Sequence, residues 1–311
     1  MANLGYVQIT RICNQDCLFC SNPSTGKIIN LRVAKKVVDD YIKLEYEGLI
    51  WTGGEPTLYP HLPELIKYAK EKNIPSRIIT NGQKISDYKY FKQLVDAGLN
   101  HVNVSLFSHK PKIQAFLTKK KDSFDNIIKS LENAKKLKIT ANINTVINKY
   151  NADHLSDLVK FVIKKFPFVR HFIWNNMDPL MNRASKNTDT IPKLNDFELE
   201  LHKAMEFLNK TGRTFRVERV PLCYMAEYAH YSTETRKIVK NEERSVHFLD
   251  DQRGRTRQLQ WRYDKVGCCG ICFLNKICAG LWQMDKYYSS KELYPVFIDP
   301  IKIKKMIGSN E

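Results

Sequence analysis

The segment Tyr6-Val-Gln-Ile-Thr10-Arg-Ile-Cys13-Asn-Gln-Asp-Cys17-Leu-Phe-Cys20 runs from a short β-prone stretch, Tyr6–Thr10, directly into three closely spaced cysteines. A second such stretch, Leu49–Thr52, passes into Gly53-Gly54-Glu55-Pro56, and a third, Arg77–Thr80, into Asn81-Gly82. Parallel α/β barrels carry their chemistry on the loops at the C-terminal ends of the strands. The three cysteines and both glycine turns are therefore expected on one face.

Working outward, further β-branched or aromatic runs lie at Val102–Leu106, Asn142–Ile147 and Val169–Trp174. Between the runs, Val33–Tyr46, Leu62–Glu71, Tyr88–Ala97, Phe124–Leu137 and Leu155–Phe166 repeat apolar residues at helical spacing. This alternation predicts repeated βα units around a parallel sheet. A closed eight-unit barrel takes about 250 residues, so six units within residues 1–181 predict an α/β fold built on an open, partial (β/α)6 barrel of the TIM type. Residues 182–220 read as a polar linker from Asn182 to Asn195, a helix near Phe197–Leu208 and a strand near Thr214–Val220, leading out of the barrel. Residues 221–311 hold five cysteines and many aromatics with little periodicity, and are expected to form a small metal-stapled domain with a Lys-rich tail.

Composition fits a globular enzyme, with 43% hydrophobic and 27% charged residues. The opening MANLGYVQIT has no secretory pattern and no apolar run is long enough to span a bilayer, so no membrane association is expected. The eight cysteines fall into two tight groups plus Cys223, which points to metal rather than disulfides and hence to a reducing cytoplasm. Lys and Arg exceed Asp and Glu by 50 to 33, giving +17. Most of the excess is scattered Lys on helix faces without interleaved aromatics, a solvated surface rather than a nucleic-acid stripe. Arg253, Arg255, Arg257 and Arg262 form the one arginine cluster, a solvated loop or a grip for an acidic substrate.

Cys13, Cys17 and Cys20 form C-x3-C-x2-C on a strand-end loop. Three thiolates at this spacing suit three irons of a cubane with the fourth iron open. A zinc site would need a fourth ligand, and neither His nor Cys follows until His61. Together with the Gly53-Gly54-Glu55-Pro56 turn, the triad closely resembles the radical S-adenosylmethionine (SAM) superfamily over roughly the first 175 residues. The resemblance implies a [4Fe–4S] cluster on Cys13, Cys17 and Cys20, with SAM chelating the open iron. It implies Phe19 against adenine, and uncovered backbone at Gly53 and Gly54, so that the Gly53–Pro56 turn, Glu55 included, meets the methionine amine. Ser105 and Asn144 fall where the family places polar contacts to the SAM carboxylate or ribose, although either residue would also serve as an internally satisfied barrel polar group. The implied activity is reductive cleavage of SAM to a 5′-deoxyadenosyl radical, followed by hydrogen abstraction. The electron donor implied is of the flavodoxin or ferredoxin type.

Near the C-terminus, Cys269-Gly-Ile-Cys272-Phe-Leu-Asn-Lys-Ile-Cys278 gives C-x2-C-x5-C, similar to the core of the SPASM extension of radical SAM peptide maturases. The full extension would place a further cysteine where Trp282 stands, so the likeness is to a truncated, single-cluster twitch version. It implies a second, auxiliary [4Fe–4S] cluster, with Cys223 preferred as fourth ligand because adjacent Cys268 and Cys269 would strain to serve one cubane. Cys268 is the alternative, and a zinc knuckle on the same cysteines stays open. Trp261, Tyr263 and Trp282 would line an electron or substrate path or simply form the small domain's core. The substrate expected first is a ribosomally made peptide, next a small molecule or nucleotide as for the molybdenum-cofactor cyclase, and last a nucleic acid.

Overall fold

A computed structural model describes residues 3–179, 183–249 and 254–308. The chain begins β1 (Leu4–Thr10), α1 (Leu31–Lys43), β2 (Gly48–Gly53), α2 (Leu62–Glu71), β3 (Ser76–Thr80), α3 (Tyr88–Ala97) and β4 (Leu99–Ser105). It continues through α4 (Pro111–Thr118), α5 (Ser123–Lys136), β5 (Thr140–Ile147), α6 (Leu155–Lys165), β6 (His171–Asn176), α7 (Arg183–Lys186), α8 (Leu194–Lys210) and β7 (Thr214–Glu218). The last part holds α9 (Thr233–Lys240), β8 (Arg244–His247), β9 (Arg255–Gln258) and α10 (Pro300–Gly308). Strands β1 to β7 are mutually parallel, and the β8–β9 hairpin extends the sheet beyond β1, giving the order β7-β6-β5-β4-β3-β2-β1-β8-β9. The sheet is unclosed, an open partial barrel. Among the described residues no helix is long and apolar enough to cross a membrane.

Strand β5 shows how a period of two sorts its side chains. Ala141, Ile143 and Ile147 join Ile127, Leu131 and Leu158 of the flanking helices in the main core. Asn142 and Asn144, out of phase with them, line the inner wall, where Asn142 donates to Asn103 Oδ1 (3.0 Å) and Asn175 donates to Asn144 Oδ1 (2.7 Å). The helices start and stop where local chemistry dictates. Asp87 accepts from Lys89 N (2.9 Å) at the start of α3, and Gly98 at φ 122° ends it. Helix α1 stops short of the expected Tyr46 because Glu45 takes φ 59° and turns the chain back.

Four departures from the sequence reading matter for the site. The sheet runs past six strands: the helix and strand expected to lead out of the barrel are α8 and β7, and β7 pairs with β6. The polar stretch expected as a linker, whose first residue, Asn182, lies outside the described residues, contains α7, a 3-10 turn at Thr188–Thr190 and the first turn of α8. Its order comes from burial of Ala184 and Thr190 beside Met177. Helix α4 was hidden by its mixed composition, and its end is set by Lys119 in the left-handed region. The Lys-rich tail is α10, amphipathic enough to bury Ile303 and Ile307.

A buried ion pair ties the two sides of the open barrel. Arg244 of β8 donates from both terminal nitrogens to Glu218 at the end of β7 (3.0 and 2.8 Å) and stacks over Tyr6 and Trp261. Burial opposes ionisation of Glu218, but Arg244 and then Arg219 outweigh it and hold the carboxyl well below the usual range. Glu234, which accepts from Arg219 N (2.9 Å), has the opposite fate: burial and the neighbouring Glu218 push it up to about 7.

Candidate active site

The loop after β1 carries the cysteine triad and is anchored from three directions. Asp16 N and Leu18 N donate to the Thr118 and Leu117 carbonyls at the end of α4 (both 3.0 Å). Gln15 donates to Ser123 Oγ (3.0 Å), and Asn81, from the turn after β3, donates to Asn14 Oδ1 (2.7 Å) and lies 3.8 Å from Cys13 Sγ. From the far side, Arg183 pairs with Asp16 and reaches the Cys17 carbonyl (3.4 Å), while Asn187 donates to the Leu18 carbonyl (3.0 Å). Nothing in the sequence pattern marked Arg183 and Asn187 for this task, since polar residues in a Ser/Thr/Asn-rich stretch read as loop.

Burial pushes the Cys13 thiol up to about 11, with Glu55 and Cys20 adding to it, and burial likewise raises Cys17 and Cys20. Cys17 is raised further by Cys20 and Cys13, so the three thiols lie within electrostatic reach of one another. Thiols so placed ionise only against a positive partner such as a metal. Among the described residues no three His, Cys, Asp or Glu converge as ligands of a single metal ion do. The donor set, three thiols on one loop, fits a cluster whose irons take one cysteine each.

The glycine turn after β2 presses against this loop. A Cβ on Gly53, which has φ 129°, would lie 2.1 Å from the Thr10 carbonyl oxygen, and one on Gly54 would lie 2.4 Å from that of Ile12. Gly54 N and Glu55 N donate to these same two carbonyls (2.7 and 2.8 Å). The expectation that the glycines leave backbone uncovered is therefore corrected at these amides: they are spent on the cysteine loop, and the carbonyls of the turn are the groups suited to an amine. Glu55, 1% exposed, is also committed internally. It accepts from Thr57 N (3.1 Å), Thr57 Oγ1 (2.6 Å), Thr80 Oγ1 (2.7 Å) and Asn81 N (2.7 Å), locking the β2 turn to the β3 turn. Burial raises its pKa against the pull of these donors. Pro56 is buried at the start of a 3-10 turn.

Phe19 is 6% exposed and packs edge-to-face on Phe107 at 4.8 Å in a small apolar cluster with Leu117, Met177 and Ala184. Ser105 and Asn144 are register partners on β4 and β5, and Asn175 on β6 completes a polar row with them. Asn175 went unnoticed in the sequence because an Asn at a strand end reads as a turn residue.

A second constellation lies in the C-terminal part. Cys223, Cys269, Cys272 and Cys278 line one small cavity together with Lys265 and Tyr294. Cys268 does not line it; its Sγ lies 3.6 Å from the Leu293 carbonyl oxygen. Cys272 Sγ accepts from Val296 N and Cys278 Sγ from Gly280 N (both 3.3 Å), and the latter bond lowers the Cys278 thiol against its burial. Burial pushes Cys223 up to about 12 and also raises Cys278, so these two thiols ionise only against a positive partner.

The aromatic residues near this cavity are tied into the protein. Trp261 donates to the Glu242 carbonyl (2.9 Å), and Trp282 donates to Asp178 Oδ1 (3.1 Å) while packing on Tyr263. The arginine cluster disperses: Arg255 and Arg257 sit on β9 with Arg257 paired to Glu243, Arg262 donates to the Lys276 carbonyl, and Arg253 lies outside the described residues.

The chain resembles known proteins in sequence over about its first half and in fold over nearly its whole length. The chain is 32% identical over 147 residues to the Fe-coproporphyrin III synthase of Methanosarcina barkeri, covering 46% of this chain and 36% of that protein. It is 28% identical over 163 residues to a probable GTP 3',8-cyclase of Thermococcus kodakarensis, covering 51% and 52%. The matches thus span about a third to a half of these relatives' lengths. The solved structure of native anSMEcpe with bound AdoMet and the Kp18Cys peptide superposes with a TM-score of 0.66, covering 98% of this chain and 96% of that one at 20% identity, a likeness of fold. Residues 7–162, from β1 into α6 and so including the cysteine loop, match the model of the Radical SAM superfamily. That match spans half of the chain, and the chain belongs to the radical SAM superfamily.

Proposed function

We propose that this chain is a radical SAM peptide maturase with two [4Fe–4S] clusters, one held by Cys13, Cys17 and Cys20 and an auxiliary one held by Cys223, Cys269, Cys272 and Cys278. The observation that carries the reading is the second cavity, where Cys223 is brought from a separate 3-10 turn to the three cysteines of the C-x2-C-x5-C run. The four thiols on its lining support a fully ligated group, for which Cys268 is not needed. When bound, the first cluster and SAM supply one-electron cleavage of SAM and the radical that abstracts hydrogen.

The chain's own groups position and shield. Arg183, Asn187 and the end of α4 fix the cysteine loop, and Glu55 fixes the glycine turn against it. The carbonyls of that turn suit the SAM amine, and the row of Ser105, Asn144 and Asn175 offers hydrogen-bond partners to its carboxylate or ribose. A peptide is favoured over a nucleotide because the fold likeness to anSMEcpe, solved with a peptide, spans 98% of this chain, the C-terminal cysteines included. A flavodoxin- or ferredoxin-type protein is proposed as electron donor.

The test is product mass. Reconstituted enzyme with SAM and reductant should change the mass of a short peptide encoded beside its gene and leave GTP unaltered. Turnover of GTP with the peptide unchanged would reverse the ranking.

A further inference from the structure

Lys265 lies on the wall of the four-cysteine cavity. Its backbone is fixed by the neighbouring stretch, because Tyr263 N donates to the Ala279 carbonyl (2.6 Å) and Leu281 N to that of Asp264 (2.9 Å), which sets residues 263–265 alongside Cys278. Its ammonium is fixed as well. Nζ donates to the backbone carbonyl of Asn275 and to Asn275 Oδ1 (2.7 Å), and Asn275 stands between Cys272 and Cys278 in the ligand run. Among the described residues no carboxylate pairs with Lys265. Glu198, which reaches this region, accepts from the Tyr294 hydroxyl (2.7 Å) instead. A partly buried ammonium tied to neutral oxygens lies on the same wall as the four sulfurs, and among the described residues the acidic groups acting on it are Cys278, Cys269 and Cys272.

The first site is arranged differently. Arg183 lies near Cys17 and Cys20, but its charge is matched by Asp16, with which it pairs. Arg11, the other cation acting on Cys20, donates to the Pro23 carbonyl (2.9 Å). The cation nearest the triad's Cys17 thus carries its own carboxylate, whereas among the described residues no carboxylate pairs with Lys265.

We propose that Lys265 is an electrostatic positioning residue that raises the reduction potential of the auxiliary cluster, making the second site the better electron acceptor of the two. This rests on the reading that the four cysteines hold a [4Fe–4S] cluster. Reduction adds one electron and breaks no bond. The reduced all-thiolate cluster carries one more negative charge than the oxidised one, so a nearby ammonium stabilises it more.

The test uses the full-length chain with Cys13→Ala, Cys17→Ala and Cys20→Ala, so that only the second site is loaded. Iron per chain and the midpoint from a mediated titration followed by EPR are read with Lys265 intact, with Lys265→Met and with Lys265→Arg. With Lys265→Met the ratio of reduced to oxidised cluster at fixed potential should fall at least tenfold, a midpoint lower by about 59 mV for one electron. Lys265→Arg should stay near the parent and iron content should be unchanged. An unmoved midpoint in Lys265→Met at full iron content overturns the proposal. So does lost iron with an unmoved midpoint in the remaining cluster, which would make Lys265 a structural tie. A parent that takes up no iron defeats the auxiliary-cluster reading itself, an outcome distinct from either.

Discussion

Gly54→Ala tests whether the glycine turn serves to seat the cysteine loop. The backbone at Gly54 is not in the left-handed region, so the substitution acts through space alone: its Cβ would lie 2.4 Å from the Ile12 carbonyl oxygen, next to Cys13. Reaching ordinary contact at 3.4 Å requires the two loops to part by about 1 Å, which stretches the bonds from Gly54 N to Thr10 and from Glu55 N to Ile12. Overpacking of this kind costs about 1–3 kcal/mol, and one weakened hydrogen bond adds about 1 kcal/mol. A loss of about 2–4 kcal/mol in stability is expected. The chemical effect should be larger in proportion, because a shift of about 1 Å in a catalytic group lowers rates about 10²-fold. The assay is 5′-deoxyadenosine formed from SAM under reductant, beside thermal unfolding. Gly212→Ala is the control: it has φ 63° with nothing within 4 Å, so it should cost about 1–2 kcal/mol of backbone strain and leave SAM cleavage intact. Wild-type SAM cleavage by Gly54→Ala would refute the seating role.

Arg183→Ala with Asn187→Ala frees the Cys17 and Leu18 carbonyls and the Asp16 carboxylate, at about 1–3 kcal/mol of loop stability, and should lower iron retained at the first site after desalting; unchanged retention would dismiss the clamp. Arg244→Met leaves Glu218 buried without its main partner, which should cost about 3–5 kcal/mol, read as a lower Tm; a Tm equal to wild type would contradict the account of the seam. Glu234 has a folded pKa raised to about 7 by burial and Glu218, so its contribution is full below the ordinary carboxylate range and is lost as pH rises through about 7. Tm should therefore fall between pH 5 and pH 8, and Glu234→Gln should flatten that slope; an equal slope in the variant would assign the effect elsewhere. Nucleic-acid binding should be weak and should vanish near physiological salt, since a binder neutralising six to ten phosphates loses roughly 10³–10⁵ in affinity between 50 and 200 mM salt; submicromolar binding to one RNA at that salt would put nucleic acid ahead of peptide, with Arg255→Glu and Arg257→Glu the first variants to make.

The barrel was legible because its strands and helices alternate with clean periods, and because the triad and the glycine turn follow strands directly. What stayed hidden depended on tertiary partners. Nothing in Thr214–Glu218 says that it pairs with β6, and Arg244–His247 is too short and polar to stand out as a strand until β1 and β9 flank it. The stretch around Arg183 and Asn187 looked like solvent-facing linker because its polar side chains answer carbonyls 166 and 169 residues away. Glu55 is legible as part of the glycine turn, while the partners of its carboxylate are tertiary. A carboxylate in a glycine turn suggests ligand contact, whereas its oxygens are engaged by Thr57, Thr80 and Asn81. The preference for Cys223 over Cys268 rests on the strain of adjacent ligands; that Cys223 lines the cavity while Cys268 does not is a tertiary fact which supports the proposed ligand set.

Metal analysis of the anaerobically reconstituted wild-type chain tests the two-cluster assignment most directly. Two cubanes, on Cys13, Cys17 and Cys20 and on Cys223, Cys269, Cys272 and Cys278, require about eight irons and about eight sulfides per chain with no stoichiometric zinc. About four irons with one zinc would contradict it, leaving a single cluster at the triad and a zinc knuckle where the auxiliary cluster is proposed.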